Sequence, residues 1–472
     1  MREIIDSMRT RNFTLAALVL GAAVLGRSQS LTEKYKPVAD KLIDAALADD
    51  EGYKRLEYLT YRIGNRLSGS ASLQKAIDWS VDQMKAAGLS NVRTIPVKVP
   101  HWVRGAESAR MLEPLNKPLH MLGLGMSVGT PAGGITADVV AVSTFEELAA
   151  LGRGKVQGRV VVLNYEWKGY GAGRAFRSDG ASRAAALGAV AVMVRSATGL
   201  AVQLPHTGAM NYDEKQPKIP AAGISPEDAA MLQQLYKSGA GPKVHLEMGA
   251  RMEPDADSFD VIGEIPGKTH PEEVVVIGGH IDSWDVGQGA QDDGASIMAC
   301  LQAVALIKKA GLQPERTLRV AFWVNEENGG RGGEAYRKFV GDNIKNHVAA
   351  IEMDGGAEAP VGYGAAVDQA STDALKQIAK LLERIGAGEI SGGGGGSDIE
   401  PLMRDGVPGL GERTVGTHYF DWHHTEADTL DKVSPDDFRK NVASLAVMSF
   451  ALADMPQRLV AAPAGGRGRG PR

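Results

Sequence analysis

Three short runs of apolar residues constrain the fold of this chain more than any other feature of its sequence. They are residues 274–277, 318–324 and 348–351, and the first consists of Val274, Val275, Val276 and Ile277 without polar alternation. Continuous runs of this kind are typical of strands that are buried on both faces of a parallel sheet. The sequence therefore predicts an open α/β sheet.

Each of these runs is followed within a few residues by side chains that can bind a metal ion. In chain order, these side chains are His280, Asp282, Glu326, Glu327 and Asp354. The carboxyl ends of parallel strands are the place where open α/β sheets hold their ligands. We therefore expect these side chains to meet at one edge of the sheet.

Two further residues extend this set. Asp292 opens a Gly-Ala-Ser turn into the apolar-periodic segment 297–307, which places a carboxylate beside a predicted helix N-terminus. His424 lies in a loop near the C-terminus that reads WHHTEADT. Five protein ligands (His280, Asp292, Glu327, Asp354 and His424) are too many for one catalytic zinc ion, but they suit two ions that share a carboxylate.

The two remaining acidic residues have separate predicted roles. Adjacent residues at a strand end point in different directions, so Glu326 can face a bound water as general base while Glu327 ligates. In extended geometry Asp282 projects to the same side as His280, where its carboxylate can hold the second ring nitrogen of the imidazole. Glu326 and Asp282 are thus the candidate catalytic residues.

The motifs around these residues resemble those of a known family. GGHIDSWDVGQGAQDDGAS, NEENGG, EMDGG and HHTEADT are similar to the co-catalytic zinc peptidases, which include leucyl-type aminopeptidases, glutamate carboxypeptidase and carboxypeptidase Q. The carboxypeptidase Q branch is the most similar, through IGNRLSGSASLQKAIDW, VPHWVRGAES and PHTGAM as well. The resemblance covers most of residues 31–455.

The resemblance implies a fold and a metal set. The implied fold is α/β, with a central mixed, mostly parallel sheet flanked by helices and an inserted α/β domain similar to a protease-associated domain. The implied cofactors are two Zn²⁺ ions per chain. His280 and Asp354 would hold one ion, Glu327 and His424 the other, with Asp292 bridging and Glu326 as base.

Five segments are expected along the chain. Residues 1–30 form a signal peptide, 31–103 the first part of the peptidase domain, 104–252 the inserted domain, 253–457 the second part of the peptidase domain, and 458–472 a disordered tail. In the first part, Leu73, Ile77, Val81 and Met84 recur with helical spacing. Residues 92–99 alternate as a strand, and Pro96 favours an edge position for it.

The N-terminus and the composition limit where the protein works and what it binds. Arg9 and Arg11 precede an apolar block at residues 13–25, which is typical of a cleaved export signal and too short to span a bilayer comfortably. We therefore expect a periplasmic or secreted protein without stable membrane insertion. The net charge of −5 argues against nucleic acid as a partner. Cys300 is the single cysteine, so no intramolecular disulfide can form.

The substrate-binding residues are less constrained. The glycine-rich run at 392–396 precedes Ser397 and Asp398, and such a loop lets the backbone approach a substrate closely. His423 stands where relatives similar to glutamate carboxypeptidase have a tyrosine, and it is a candidate for the oxyanion contact. Arg404 and Arg413 are candidates for binding a terminal carboxylate by proximity alone, and a surface or structural role is the preferred interpretation.

Several functions remain open from the sequence. The first is an exopeptidase that hydrolyses dipeptides and short peptides, and an aminopeptidase reading only the free N-terminus is its close alternative. A metal-dependent amidohydrolase acting on N-acyl amino acids could use the same two metals. A binding protein that has lost its chemistry is disfavoured, because all five ligands and the base are present. A short peptide is the expected partner, and a homodimer is left open.

Overall fold

A computed structural model of the protein describes residues 29–462. The predicted signal peptide and the last ten residues lie outside them, apart from Gln29 and Ser30. The described residues form twelve α-helices: α1 (Leu31–Leu47), α2 (Glu51–Tyr58), α3 (Ala71–Ala86), α4 (Phe145–Val156), α5 (Tyr170–Ala186), α6 (Pro226–Lys237), α7 (Ala295–Lys309), α8 (Arg331–Val340), α9 (Gln369–Ala379), α10 (Glu400–Arg404), α11 (Tyr419–Trp422) and α12 (Pro435–Asp454).

The same residues form sixteen strands. They are β1 (Ser90–Val103), β2 (Glu107–Glu113), β3 (Lys117–Leu119), β4 (Met121–Gly123), β5 (Ile135–Val142), β6 (Val160–Leu163), β7 (Ala191–Arg195), β8 (Ala221–Ile224), β9 (Lys243–Met248), β10 (Arg251–Ile265), β11 (His270–His280), β12 (Arg316–Trp323), β13 (His347–Glu352), β14 (Pro360–Ala365), β15 (Glu389–Gly392) and β16 (Gly409–Thr414).

The first sheet contains eight strands in the order β1-β10-β12-β11-β13-β16-β14-β15. Its centre, β12-β11-β13-β16, is parallel, and β14 is parallel to β15. The antiparallel pairs are β1 with β10, β10 with β12, and β14 with β16. The sheet is thus mixed and mostly parallel, as expected. β1, which contains Pro96, is an edge strand, as its sequence predicted.

The central strands are buried on both faces because helices cover both sides of the first sheet. Val275 and Ile277 of β11 pack into a core shared with α7 and α12, while Val274 and Val276 pack on the other face near α8. α7 is almost entirely buried, and Cys300 within it has no exposed surface. The three apolar runs thus form adjacent strands.

The second sheet is built only from residues 107–248, in the order β3-β2-β9-β5-β6-β7-β8-β4. We call residues 104–250 the inserted unit, because the chain enters it from β1 and returns through β10, and these two strands pair antiparallel up to Val103 and Arg251. Its strands β5 to β8 are parallel and carry α5 in the β6-to-β7 crossover. The inserted unit is therefore itself α/β, with a strand-helix-strand crossover from β6 through α5 to β7.

The segment after α12 differs from the prediction of a disordered tail. Leu459 is only 6% exposed and packs into the core of the first sheet. Arg458 pairs with Glu273, and Ala462 N donates to Ala366 O at 3.0 Å. The prediction was wrong for residues 458–462, because it was based on the overall composition of the tail and overlooked Leu459, which packs into the core. Within residues 29–462 no helix has the length and apolar character needed to cross a membrane.

Candidate metal centre

Four loops of the first sheet converge where its parallel strands end. His280 is the last residue of β11, Glu327 lies in the turn after β12, and Asp354 follows β13. Asp292 lies in the turn Ala290–Gly294 that leads into α7. His424, which follows α11, joins them from the C-terminal part of the chain, so that all five predicted ligands meet at one place.

The two carboxylate oxygens of Asp292 face two different groups. Its Oδ1 lies 3.2 Å from His280 Nε2, which in turn lies 3.5 Å from Asp354 Oδ1. Its Oδ2 lies 3.3 Å from His424 Nε2, which lies 3.1 Å from Glu327 Oε2. Asp292 therefore stands between two sets of nitrogen and oxygen donors, one on each side.

Several donor atoms in this cluster are buried without a hydrogen-bond partner. They include His280 Nε2 and Asp292 Oδ2. Buried polar groups are normally paired, so unpartnered nitrogen and oxygen atoms that converge on one point are suited to bind a common ligand. Imidazole nitrogens and carboxylate oxygens are the donors that zinc takes in catalytic sites. The residues present thus fit a pair of metal ions.

The electrostatics of the cluster point the same way. Burial, reinforced by the charge of Asp292, raises the pKa of Glu327 to about 8. Burial also raises the pKa of Asp354 to about 6. Carboxylates gathered away from water are costly as anions unless positive charge accompanies them. A cation at this position would supply that charge.

Asp282 differs in one respect from the expectation. His280 Nδ1 lies 3.0 Å from the backbone oxygen of Asp282, whereas the nearest carboxylate oxygen is 3.9 Å away. The carboxylate instead accepts from Glu326 N at 3.1 Å and from Ser68 Oγ at 3.3 Å. The backbone therefore orients the imidazole, and the side chain holds the residue predicted to be the general base.

Two acidic residues without a predicted role hold the ligand loops. The carboxylate of Asp428 accepts from the backbone N–H groups of Ala290, Gln291 and Asp292 at 2.7 to 3.2 Å. Asp293, joined to Asp292 by a cis peptide, accepts from His280 N at 3.1 Å. Both residues stand inside the quoted motifs, but their contacts span the chain and cannot be read from spacing.

A buried arginine performs a similar task for the loop between β11 and α7. The guanidinium of Arg66 donates to the carbonyls of Gly64, Ile281, Gln288 and Gly289 at 2.8 to 3.0 Å. Arg66 has no exposed surface, and burial lowers its pKa to about 10. It fixes the backbone on both sides of the segment that separates His280 from Asp292.

The candidate substrate residues differ in position. His423 stacks on His424, with ring centroids 3.5 Å apart, and its Nε2 lies 3.6 Å from Asp292 Oδ2. Ser397 is half-buried. Asp398 has no exposed surface, and burial together with the charge of Glu352 raises its pKa well above the usual range. Asp398 thus belongs to the interior beneath the site, contrary to the expectation of substrate contact.

The glycine-rich run is a packed loop. A side chain at Gly396 would lie 1.9 Å from Glu352 Oε1, and the Oε2 of Glu352 accepts from Ile399 N at 2.9 Å. Glycine is therefore required by close approach to a buried carboxyl at the end of β13.

One cation near the site was not predicted. Arg177, on α5 of the inserted unit, lies over the ring of Tyr170 at 5.2 Å, and Tyr170 contacts His423 with centroids 5.0 Å apart. The Nε of Arg177 is buried without a partner. Burial, followed by the charge of His424, lowers the pKa of His206 to about 3, and the nearby charge of Arg177 adds to this effect. Arg404, by contrast, forms an exposed pair with Glu334.

Comparison with known proteins agrees with these observations. The profile of peptidase family M28 matches residues 260–448. Carboxypeptidase Q of Bos taurus is 39% identical over 457 residues, which cover 94% of this chain and 97% of that protein. Carboxypeptidase Q of Homo sapiens is 39% identical over 89% of this chain and 90% of its own length.

Solved structures show the same fold. A peptidase M28 precursor from Shewanella amazonensis SB2B superposes with a TM-score of 0.87 at 34% identity, covering 92% of this chain and 99% of that one. A zinc aminopeptidase from Bacillus subtilis superposes with a TM-score of 0.65 at 18% identity, covering 86% and 96%, and shares the fold. The chain therefore belongs to peptidase family M28 and is a metallopeptidase related to carboxypeptidase Q.

Proposed function

We propose that the protein is a di-zinc exopeptidase that hydrolyses dipeptides and short peptides. The observation that carries this proposal is the position of Asp292, whose two oxygens face separate donor pairs at 3.2 and 3.3 Å. In this assignment His280 and Asp354 hold one ion, and Glu327 and His424 hold the other. A bridging carboxylate between two such pairs has no comparable use in a site for a single ion.

The metals and the protein have separate tasks in the proposed reaction. Two zinc ions, when bound by these residues, would supply an acidified water and would polarise the scissile carbonyl. Glu326 accepts the proton of that water as its oxygen attacks, and returns it to the leaving amine. Asp282 accepts the backbone N–H of Glu326 at 3.1 Å, which fixes the backbone of the base.

Arg177 favours a substrate with a free carboxylate. Its guanidinium lies beside the site next to Tyr170, and its buried Nε has no hydrogen-bond partner among residues 29–462. An arginine is suited to bind a carboxylate with two parallel hydrogen bonds. We propose that Arg177 receives the C-terminal carboxylate of the peptide, which would distinguish this enzyme from an aminopeptidase that reads only the N-terminus.

A set of dipeptides with each terminus blocked in turn tests this proposal. We expect hydrolysis of free dipeptides and a large loss with a C-terminal amide. Arg177→Gln should raise KM for free dipeptides by about 10- to 100-fold, as loss of a hydrogen bond between charged groups does, and should leave the amides unaffected. Arg174→Gln, on the exposed side of the same helix, is the control.

Other outcomes of this experiment favour the alternatives. Unchanged hydrolysis of C-terminal amides, with loss on N-terminal blocking, would indicate an aminopeptidase. Preferential hydrolysis of N-acyl amino acids would indicate an amidohydrolase.

We also propose that the inserted unit is a domain of protease-associated type and that the protein is exported. The first point is supported by the separate second sheet and by its entry and exit through the paired strands β1 and β10. The second is supported by Arg9, Arg11 and the apolar block that follows them, which lie outside the described residues. N-terminal sequencing of the mature protein tests the second point.

A further inference from the structure

The two halves of the metal centre are supported differently. His280 is held by loops of the first sheet, through the backbone oxygen of Asp282 and the carboxylate of Asp293. Glu327 and His424 lie on the other side of Asp292 and depend on the inserted unit. Trp284, whose side chain packs into the inserted unit, contacts Glu327, and Thr207, which belongs to the inserted unit, contacts His424. Arg104 connects the segments of Trp284 and Thr207.

Trp284 connects Glu327 and His424 to the core of the inserted unit. Its backbone N–H donates to Glu327 Oε1 at 3.1 Å, and its ring lies 5.6 Å from the ring of His424. The residue follows β11 in the first sheet, yet its indole is 2% exposed and packs among the apolar side chains of the second sheet. A side chain at Gly125 would lie 1.9 Å from this indole. The apolar core of the inserted unit thus fixes the position of Trp284.

Thr207 contacts His424 directly. Its N–H donates to the carbonyl of His424 at 3.0 Å, and its hydroxyl donates to Gly123 O at 2.7 Å. His424 has φ of +61°, a left-handed conformation that a non-glycine residue adopts at a cost of about 1 kcal/mol or more. Its backbone therefore needs support from its surroundings. Thr207 supplies part of that support from across the boundary between the two units.

Arg104 joins these contacts into one structure. It is the first residue after β1, and its guanidinium pairs with the carboxylate of Asp285 at 2.6 and 2.9 Å. The same guanidinium donates to Gly123 O at 2.6 Å and to Thr207 Oγ1 at 3.3 Å. Asp285 is next to Trp284 in the sequence, so Arg104 holds the segment of Trp284 and the segment of Thr207 together.

We infer that the inserted unit is a positioning element for the Glu327–His424 half of the centre. Trp284 and Thr207 set the affinity of the metal position formed by Glu327 and His424, while the position formed by His280 and Asp354 depends on the first sheet alone. The inference deepens the proposed di-zinc function and rests on it. It follows that loss of these contacts should weaken metal binding at one position and not at the other, which a general loss of stability would not do.

Zinc titration of the full-length protein, after removal of metal by a chelator, tests this inference. Calorimetry should show two equivalents for the wild type. Trp284→Ala and Thr207→Ala keep the backbone N–H groups but remove the indole and the hydroxyl that fix them. Each should weaken one equivalent by about 10- to 100-fold, as loss of support behind a metal ligand does, and leave the other unchanged. The conservative variants Trp284→Phe and Thr207→Ser should restore the second equivalent.

Leu148→Ala is the matched control, because Leu148 is buried in a different apolar cluster of the inserted unit from the one that holds Trp284. It should lower the melting temperature of the protein and retain two zinc equivalents. Equal weakening of both equivalents in Trp284→Ala and Thr207→Ala, or retention of both, would overturn the inference. A wild-type protein with fewer than two equivalents would instead contradict the proposed function.

Thr207→Ala removes one hydroxyl and one methyl group and no aromatic ring, so it stays informative if Trp284→Ala does not fold.

Discussion

At the scale of single residues, the account depends on adjacent residues that have different tasks. Glu326 and Glu327 follow each other in one turn, yet Glu327 faces His424 at 3.1 Å while the N–H of Glu326 is held by Asp282. His423 and His424 are likewise stacked neighbours on one carboxylate oxygen. Substitutions that keep size and remove one function can separate these tasks.

The first prediction separates metal binding from proton transfer. Glu327→Gln should lower zinc occupancy, and activity should fall with it. Glu326→Gln should retain zinc and thermal stability near the wild-type values, and lose about 10²- to 10⁴-fold in kcat, because its amide cannot accept the proton of the water. Metal analysis and steady-state kinetics on both variants check this. The reverse pattern would show that the two roles are exchanged.

The second prediction concerns Asp282. Asp282→Asn keeps an oxygen that can accept from Glu326 N, but it removes a buried negative charge beside the base. We expect a loss of about 10- to 100-fold in activity, as for other supporting groups around metal sites, with zinc content unchanged, because the backbone oxygen orients His280. Loss of zinc in this variant would restore the original assignment, in which the carboxylate orients the imidazole.

The sequence was sufficient to predict the ligand cluster and insufficient to predict its supports. His280, Glu327 and Asp354 were found because each follows a strongly apolar strand, and parallel strands bring their carboxyl ends together. Arg66 and Asp428 support the site through hydrogen bonds, and Arg177 lies beside it next to Tyr170. No local pattern in the sequence encodes these contacts. The carboxylate of Asp282 was assigned to the wrong partner, because alternation gives the side of a strand but not the distance.

At the scale of elements, continuous apolar runs and helical periodicity predicted the correct strands and helix, whereas a strand without such a pattern was not predicted. The three apolar runs became β11, β12 and β13, and the periodic segment from Leu73 became α3. β14 was not predicted, because its glycines remove the alternation of a strand. A side chain at Gly362 would lie 2.0 Å from the oxygen of Glu389 in β15, so close pairing of the two strands requires the glycine.

The third prediction concerns the start of β13. His347 is 6% exposed and lies 3.1 Å from the hydroxyl of Tyr336, which also accepts from Arg319. Burial, followed by the charge of Arg319, lowers the pKa of His347 to about 4. Between pH 6.5 and pH 4 the unfolded chain binds a proton that the folded chain does not, so stability falls as the pH falls through this window.

Comparison of the wild type with His347→Gln tests this effect. Each unit of pKa difference corresponds to about 1.4 kcal/mol, so the wild type should lose about 2 kcal/mol from this residue between pH 7 and pH 5. Urea denaturation at both pH values measures the difference, and other titrating groups are common to both proteins. An identical pH dependence in the variant would refute the assignment.

At the scale of the whole molecule, both sheets contribute residues to the same candidate site. The first sheet brings all five predicted ligands to a single edge, and the inserted unit brings Arg177, Tyr170 and Thr207 to the same place from the other side. The long antiparallel pair of β1 and β10 joins the two units. We therefore expect the inserted unit to affect both substrate choice and metal binding.

The zinc content of the wild type and of Asp292→Asn tests the central claim most directly. The wild-type protein should carry close to two zinc ions per chain and lose dipeptide hydrolysis when a chelator removes them. Asp292→Asn should weaken both positions together, because its two oxygens face both donor pairs. A wild type with one ion, or an Asp292→Asn variant that retains two ions and full activity, would contradict the account.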